Sequence, residues 1–116
     1  MSIRILFLTD DREDYLADSL LHGIRQLNDA ELVDYPRKEC LYQAESNKSS
    51  EMLRGHGFTL YGLLEEPKPE PFRGRIWSRL EEGYFDAVIF SNLWRQWGLA
   101  LQWKSLIEKQ TLIFLD

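Results

Sequence analysis

The chain has 116 residues, 44% of them hydrophobic and 28% charged, with a formal net charge of −5. That length and balance describe one globular domain, and the negative charge disfavours nucleic acid and anionic membrane surfaces as partners, since both would repel it. The lone cysteine, Cys40, rules out a disulfide within the chain and fits a reducing cytoplasm, and no run approaches the roughly 20 apolar residues of a membrane span.

Ile3–Leu8 reads as a strand apolar on both faces, hence central in a sheet. Thr9-Asp10-Asp11 ends it abruptly, too soon for the apolar core of a signal peptide. Asp11 is placed to cap a helix, with Asp14 in its first turn. Leu16, Leu20, Ile24 and Leu27 recur at helical spacing and predict a buried stripe, which Asn28-Asp29 stops. Residues 31–35 form a second strand whose apolar run is interrupted by Glu31 and Asp34, which places it near an edge.

Residues 36–70 carry no long period. They hold Ser46-Asn47-Lys48-Ser49-Ser50, Arg54-Gly55-His56-Gly57 and the proline-rich Glu65–Pro71. An irregular connection of this length is unusual inside a compact domain and is expected to be functional or mobile. Phe72, Ile76 and Leu80 then mark a second helix ended by Gly83. Residues 85–90 form a third strand, 93–109 a third helix with Leu99, Trp103 and Leu106 on one face, and 111–115 a fourth strand.

Short apolar strands alternating with helices predict an α/β, Rossmann-like three-layer αβα fold around a four-stranded parallel sheet. Right-handed crossovers put the first helix on one face and the later helices on the other, with strand order 2-1-3-4. The chain reverses direction between strands one and three, and a ligand crevice is expected there, outside the carboxyl ends of the strands. Every strand-ending run leads to that rim: Thr9-Asp10-Asp11, Pro36-Arg37-Lys38, Ser91-Asn92 and Asp116.

On the rim, Asp10 is less readily explained by helix capping than Asp11, so it is the better candidate for ligand or metal chemistry. An acidic pair after strand one resembles phosphorylated receiver domains, but strand three ends in Ser91-Asn92, with no acceptor aspartate. Arg54-Gly55-His56-Gly57 combines a cation, an imidazole and glycines that permit close backbone approach to a phosphate; it matches no phosphate-loop fingerprint. Asn92 reads as a cap, and Trp94 and Trp97 as core by default. Arg95 in a first turn opposes the helix dipole, so it is expected to meet an anion or an aspartate. His22 and His56 lie far apart without a third ligand at zinc spacing, so no metal site is assigned.

Together, Ile3–Asp11, Val33-Asp34-Tyr35-Pro36-Arg37-Lys38-Glu39, Gly55–Gly62, Phe85–Phe90 and Trp94-Arg95-Gln96-Trp97 resemble the N-terminal part of bacterial glycosyltransferase-like proteins of the two-domain B type. The resemblance implies an N-terminal domain that receives the acceptor, and a second domain holding most contacts to a nucleotide-sugar. Residues 1–116 would then be a single Rossmann-like domain of a two-domain protein, without a cofactor of its own and not active alone. Asp10 would be a base or hydroxyl ligand. Arg37, Lys38, Arg54 and Arg95 would hold anionic or polyhydroxyl groups, with Thr9, Asp11, His56, Asn92 and Asp116 completing the rim. The alternative is a non-catalytic module that binds a partner protein or small anion, because neither Ser91 nor Cys40 has a visible activating base. The uncharged run Leu112–Leu115 at a sheet edge also predicts a cover: a missing C-terminal domain, a second copy, or a partner protein.

Overall fold

Six consecutive residues with apolar side chains on both faces make β1 (Ile3–Leu8) the centre of the sheet. The remaining elements follow in order: α1 (Tyr15–Arg25), β2 (Ala30–Tyr35), a 3₁₀ turn (Glu39–Leu41), α2 (Ile76–Glu81), β3 (Ala87–Phe90), α3 (Trp97–Gln102), α4 (Lys104–Ile107) and β4 (Thr111–Phe114). The computed structural model describes residues 3–10, 12, 14–27, 29–42, 64, 65, 67, 71–107 and 110–115. Its sheet is four-stranded and parallel, in the predicted order β2-β1-β3-β4.

The period of two along each strand sorts the core into two layers. Leu6, Leu8, Val33, Val88 and Phe90 face Ile76 and Leu80 of α2 and Trp103. Phe7, Leu32 and Ile89 face Ala17 and Leu21 of α1, with Leu41, Tyr42 and Leu64 beside them. Helices therefore cover both faces, α1 on one and the later helices on the other. Each such fully buried large side chain contributes roughly 1.5–3 kcal/mol relative to exposure.

Three helical expectations are corrected. Leu16 and Leu27 are exposed; the inward side of α1 is Ala17, Asp18 and Leu21, with Leu20 and Ile24 half-buried against it. The helix is capped by Asp14, whose carboxylate accepts from the Ala17 N–H at 3.1 Å, and it is turned so that Asp18 meets a buried lysine. α2 starts only at Ile76, leaving Phe72 outside it and exposed; Gly83, at φ +70°, ends it as a left-handed residue should. The expected helix over 93–109 is a turn at 93–96 followed by two short helices that meet at Trp103. The break still leaves Leu99, Trp103 and Leu106 packed on the same core layer.

The long connection leaves and returns at one place. Tyr42 and Leu64 form a parallel bridge, and the Leu64 N–H donates to Leu41 O at 3.0 Å. Both bridged residues are buried, so the excursion is closed at its neck by core contacts. Residues 43–63 lie outside the described residues.

Candidate functional site

The gap between β1 and β3 is where the chain reverses direction, and an ion triad sits at its carboxyl rim. Asp10 follows β1, and one of its oxygens accepts from the Arg12 N–H at 3.1 Å. Its other oxygen takes a short hydrogen bond from Arg95 Nε. Arg95 Nη2 donates to Asp14 at 3.1 Å, so one guanidinium joins the end of β1 to the cap of α1. Of the two partners expected for Arg95, the structure supplies aspartate, and it supplies two of them. Burial works against the Arg95 charge, but the hydrogen bonds it donates to Asp10 and Asp14 outweigh burial and push the guanidinium above its ordinary value.

Backbone and amide contacts hold this turn in place. Asn92 Oδ1 accepts from the Arg95 N–H at 3.1 Å, as a capping side chain does. Gln96 is buried under the turn: its amide donates to Leu8 O at 2.8 Å and to Ser91 Oγ at 2.7 Å, while its carbonyl accepts from the Asn92 N–H at 3.2 Å. Gln96 thus pins the ends of β1 and β3 to the same loop. The triad itself stays open, with side chains 26% (Asp10), 24% (Arg95) and 21% (Asp14) exposed. Two carboxylates against one guanidinium leave a formal charge of −1.

Beside Arg95, Trp94 and Trp97 lie on the surface, Trp94 being 78% exposed, with ring centroids 5.9 Å apart in a stacked arrangement. The expectation that they are core is overturned. The local reason is that Gln96, between them, takes the inward position under the turn.

A second cluster lies at the carboxyl end of β2, and its hub is Asp34, 0% exposed. Asp34 accepts from Arg25 Nη2 at 3.0 Å, from Tyr42 Oη at 2.9 Å and from the Lys38 N–H at 3.1 Å, and forms a short ion pair with Arg73. Lys38 is buried too. Its ammonium donates to Asp18 at 2.6 Å and to Arg12 O at 2.5 Å. Burial pushes the Asp18 carboxyl above its ordinary value despite the opposing pull of Lys38. Burial first, and then the charge of Asp34, push the Tyr42 phenol up to about 12.

The predicted rim residues therefore divide. Asp10, Asn92 and Arg95 come together. Thr9 is buried beneath them, its N–H donating to Tyr35 O at 3.0 Å. Lys38 belongs to the buried cluster. Arg37 pairs with Glu39 at 2.7 Å and lies 4.2 Å over the Tyr42 ring. Asp11, Arg54, His56 and Asp116 lie outside the described residues.

Sequence reasoning missed Asp14 as a partner of Arg95, and missed Asp34, Arg25, Arg73, Tyr42 and Asp18 altogether as a network. One signal was present: Asp34 alternates with Leu32, so it occupies an inward position of the strand. Among the described residues no group of three His, Cys, Asp or Glu side chains is arranged to hold a metal ion. No helix among them is long and apolar enough to cross a membrane. Comparison with protein-family models, curated proteins and solved structures finds no match to the chain.

Proposed function

We propose that the open rim at Asp10, Asp14, Asn92 and Arg95 binds a sugar or another polyhydroxyl acceptor, as the acceptor-side domain of a glycosyltransferase-like protein. The observation that carries this reading is the placement of Asp10. It stands at the carboxyl end of the central strand, at the switch point of the sheet, with a quarter of its side chain open to solvent. A carboxylate accepts through several lone pairs, so Asp10 can hold Arg95 and still take a ligand hydroxyl. Arg95 and the Asn92 amide supply donors, which makes the rim suited to vicinal hydroxyls. A base role for Asp10 requires its ion pair with Arg95 to open first. The nucleotide-sugar, in this reading, is held by a second domain.

A thermal-shift and amide-NMR titration with a panel of free sugars and nucleotide-sugars tests the proposal. Stabilisation follows RT ln(1 + [L]/Kd), about 2.7 kcal/mol at a hundred times Kd. Binding should move the amides of Asp10, Asn92 and Arg95. No stabilisation and no shift with any of the panel overturns it. The second reading, a non-catalytic module docking a partner protein, draws on the exposed stacked tryptophans Trp94 and Trp97. Stabilisation by a protein partner alone would favour that reading.

A further inference from the structure

One side chain joins the buried cluster to the open rim. The backbone N–H of Lys38 donates to Asp34 at 3.1 Å, which fixes this residue to the hub at β2. Its side chain, 1% exposed, reaches the connection between β1 and α1. There the ammonium donates to Arg12 O at 2.5 Å and to Asp18 at 2.6 Å, 26 and 20 positions away.

Each of these two acceptors stands behind one carboxylate of the rim. Arg12, whose carbonyl takes the ammonium, gives its N–H to Asp10 at 3.1 Å. Asp18 accepts the ammonium on one oxygen and, at a longer 3.4 Å, the Asp14 N–H on the other. Asp10 and Asp14 then meet on Arg95. Two branches leave one buried ammonium and close on one guanidinium. A buried ion pair is weak ground for stability, because an apolar pair of similar volume often serves a fold as well. What an apolar pair cannot supply is the bond to Arg12 O. Lysine carries three donors at the end of an apolar stem, so it can neutralise Asp18 and hold a backbone carbonyl at once. Arg12 is exposed, so side-chain packing offers little else to hold the backbone there.

We infer that Lys38 is a positioning residue for the rim, setting from beneath how Asp10 and Asp14 stand around Arg95. Its consequence for sugar binding rests on the function proposed above; its consequence for the geometry does not. Recognition of hydroxyls requires groups held within a fraction of an ångström, and release of Arg12 O would loosen the backbone that carries Asp10.

The double variant Lys38→Met with Asp18→Leu tests this role, because it removes the ammonium and leaves no buried carboxylate unpaired. The Arg95 Nε–Hε group, observed by NMR, reports the rim without any ligand. Its hydrogen bond to Asp10 should slow exchange of that proton with water in the parent. Exchange in the double variant should be faster by about tenfold or more, the equivalent of one lost charged hydrogen bond. Leu80→Ala, in the core layer against α2, controls for destabilisation alone and should leave this exchange as in the parent. Lys38→Gln with Asp18→Asn keeps a neutral hydrogen-bonded pair, but the glutamine is one bond shorter than lysine and falls short of Arg12 O. It should loosen the rim as the first variant does, and it decides the matter if the first does not fold. Where the parent binds a sugar, Kd for the folded double variants should rise about tenfold. Unchanged Hε exchange or unchanged Kd in a folded double variant overturns the positioning role. So does equally fast exchange in Leu80→Ala, and so does failure of both double variants to fold, since Lys38 would then hold the whole fold. A parent that binds no sugar, with exchange faster in the double variants, overturns the proposed function and leaves the positioning role standing.

Discussion

Two clusters of arginine and aspartate stand at the carboxyl ends of neighbouring strands, and they differ in one physical respect. At β2, Asp34 is sealed from water and accepts from Arg25, Arg73, Tyr42 and the Lys38 backbone. At β1, Asp10 shares Arg95 with Asp14 and remains a quarter exposed. A sealed ion cluster has no lone pair to offer a ligand, and removal of one member strands the others in a medium that cannot solvate them. An open one is worth little to stability, since water replaces whatever is lost. The same chemistry thus serves the architecture in one place and leaves a surface available for recognition in the other. The sealed cluster also has an architectural task, because it ties the start of the long connection (Lys38, Tyr42) and the chain just beyond its end (Arg73) to one carboxylate.

The contrast can be broken most directly at its hub. Asp34→Ala leaves Arg25 and Arg73 without their shared anion and should cost about 3–5 kcal/mol in a urea melt. A variant as stable as the parent would show that the cluster does not hold the fold. Lys38→Met should be nearly as damaging, about 3 kcal/mol, because Asp18 is left buried and unpaired. Adding Asp18→Leu should recover most of that loss, since an apolar pair needs no solvation.

The pH dependence of Lys38→Met sharpens the point. The native Asp18 carboxyl already binds its proton above its ordinary value of 3.8. Between that value and the raised one the folded chain holds more protons than the unfolded chain, so this group's contribution falls as pH rises and recovers on acidification. Without Lys38 the same recovery should begin at higher pH. An unchanged stability–pH profile would contradict the role given to the pair.

The Tyr42 hydroxyl donates to Asp34 and also accepts from Arg25 Nη2 at 2.9 Å, so Tyr42→Phe removes one donor from Asp34 and one acceptor from Arg25, and should cost about 1–2 kcal/mol. Tyr42 also sets an alkaline limit. With its phenol raised from 10.0 to about 12, the folded chain keeps a proton that the unfolded chain releases. The resulting stability is complete below pH 10 and is lost as pH rises toward 12. The phenylalanine variant should lack that slope in alkaline denaturation followed by circular dichroism.

The smallest stability effect is expected at the open cluster. Asp10→Asn should change stability by less than about 1 kcal/mol, yet impair binding of sugars that shift the Asn92 and Arg95 amides. A strongly destabilised Asp10→Asn would erase the distinction between the two clusters and make Asp10 architectural.

Much of the architecture was legible in residue order. A strand apolar on both faces must be central, a strand interrupted by Glu31 and Asp34 belongs at an edge, and right-handed crossovers leave one order for four such strands. The rim position of Asp10, Asn92 and Arg95 follows from the same rule, as does the stop at Gly83. These features depend on local periodicity and on chain handedness, both of which are written in consecutive residues. What tertiary structure decided depends on partners far apart in the chain. α1 presents Ala17 and Leu21 because Asp18 must reach Lys38, 20 positions away. Asp34 is tolerated at an inward position because Arg73, 39 positions on, meets it there. Trp94 and Trp97 are left on the surface while Gln96, buried between them, reaches Leu8 across 88 positions. A helical period cannot foresee any of these, because burial of a charge or amide is settled by whether a partner arrives, and only the folded chain brings that partner into place.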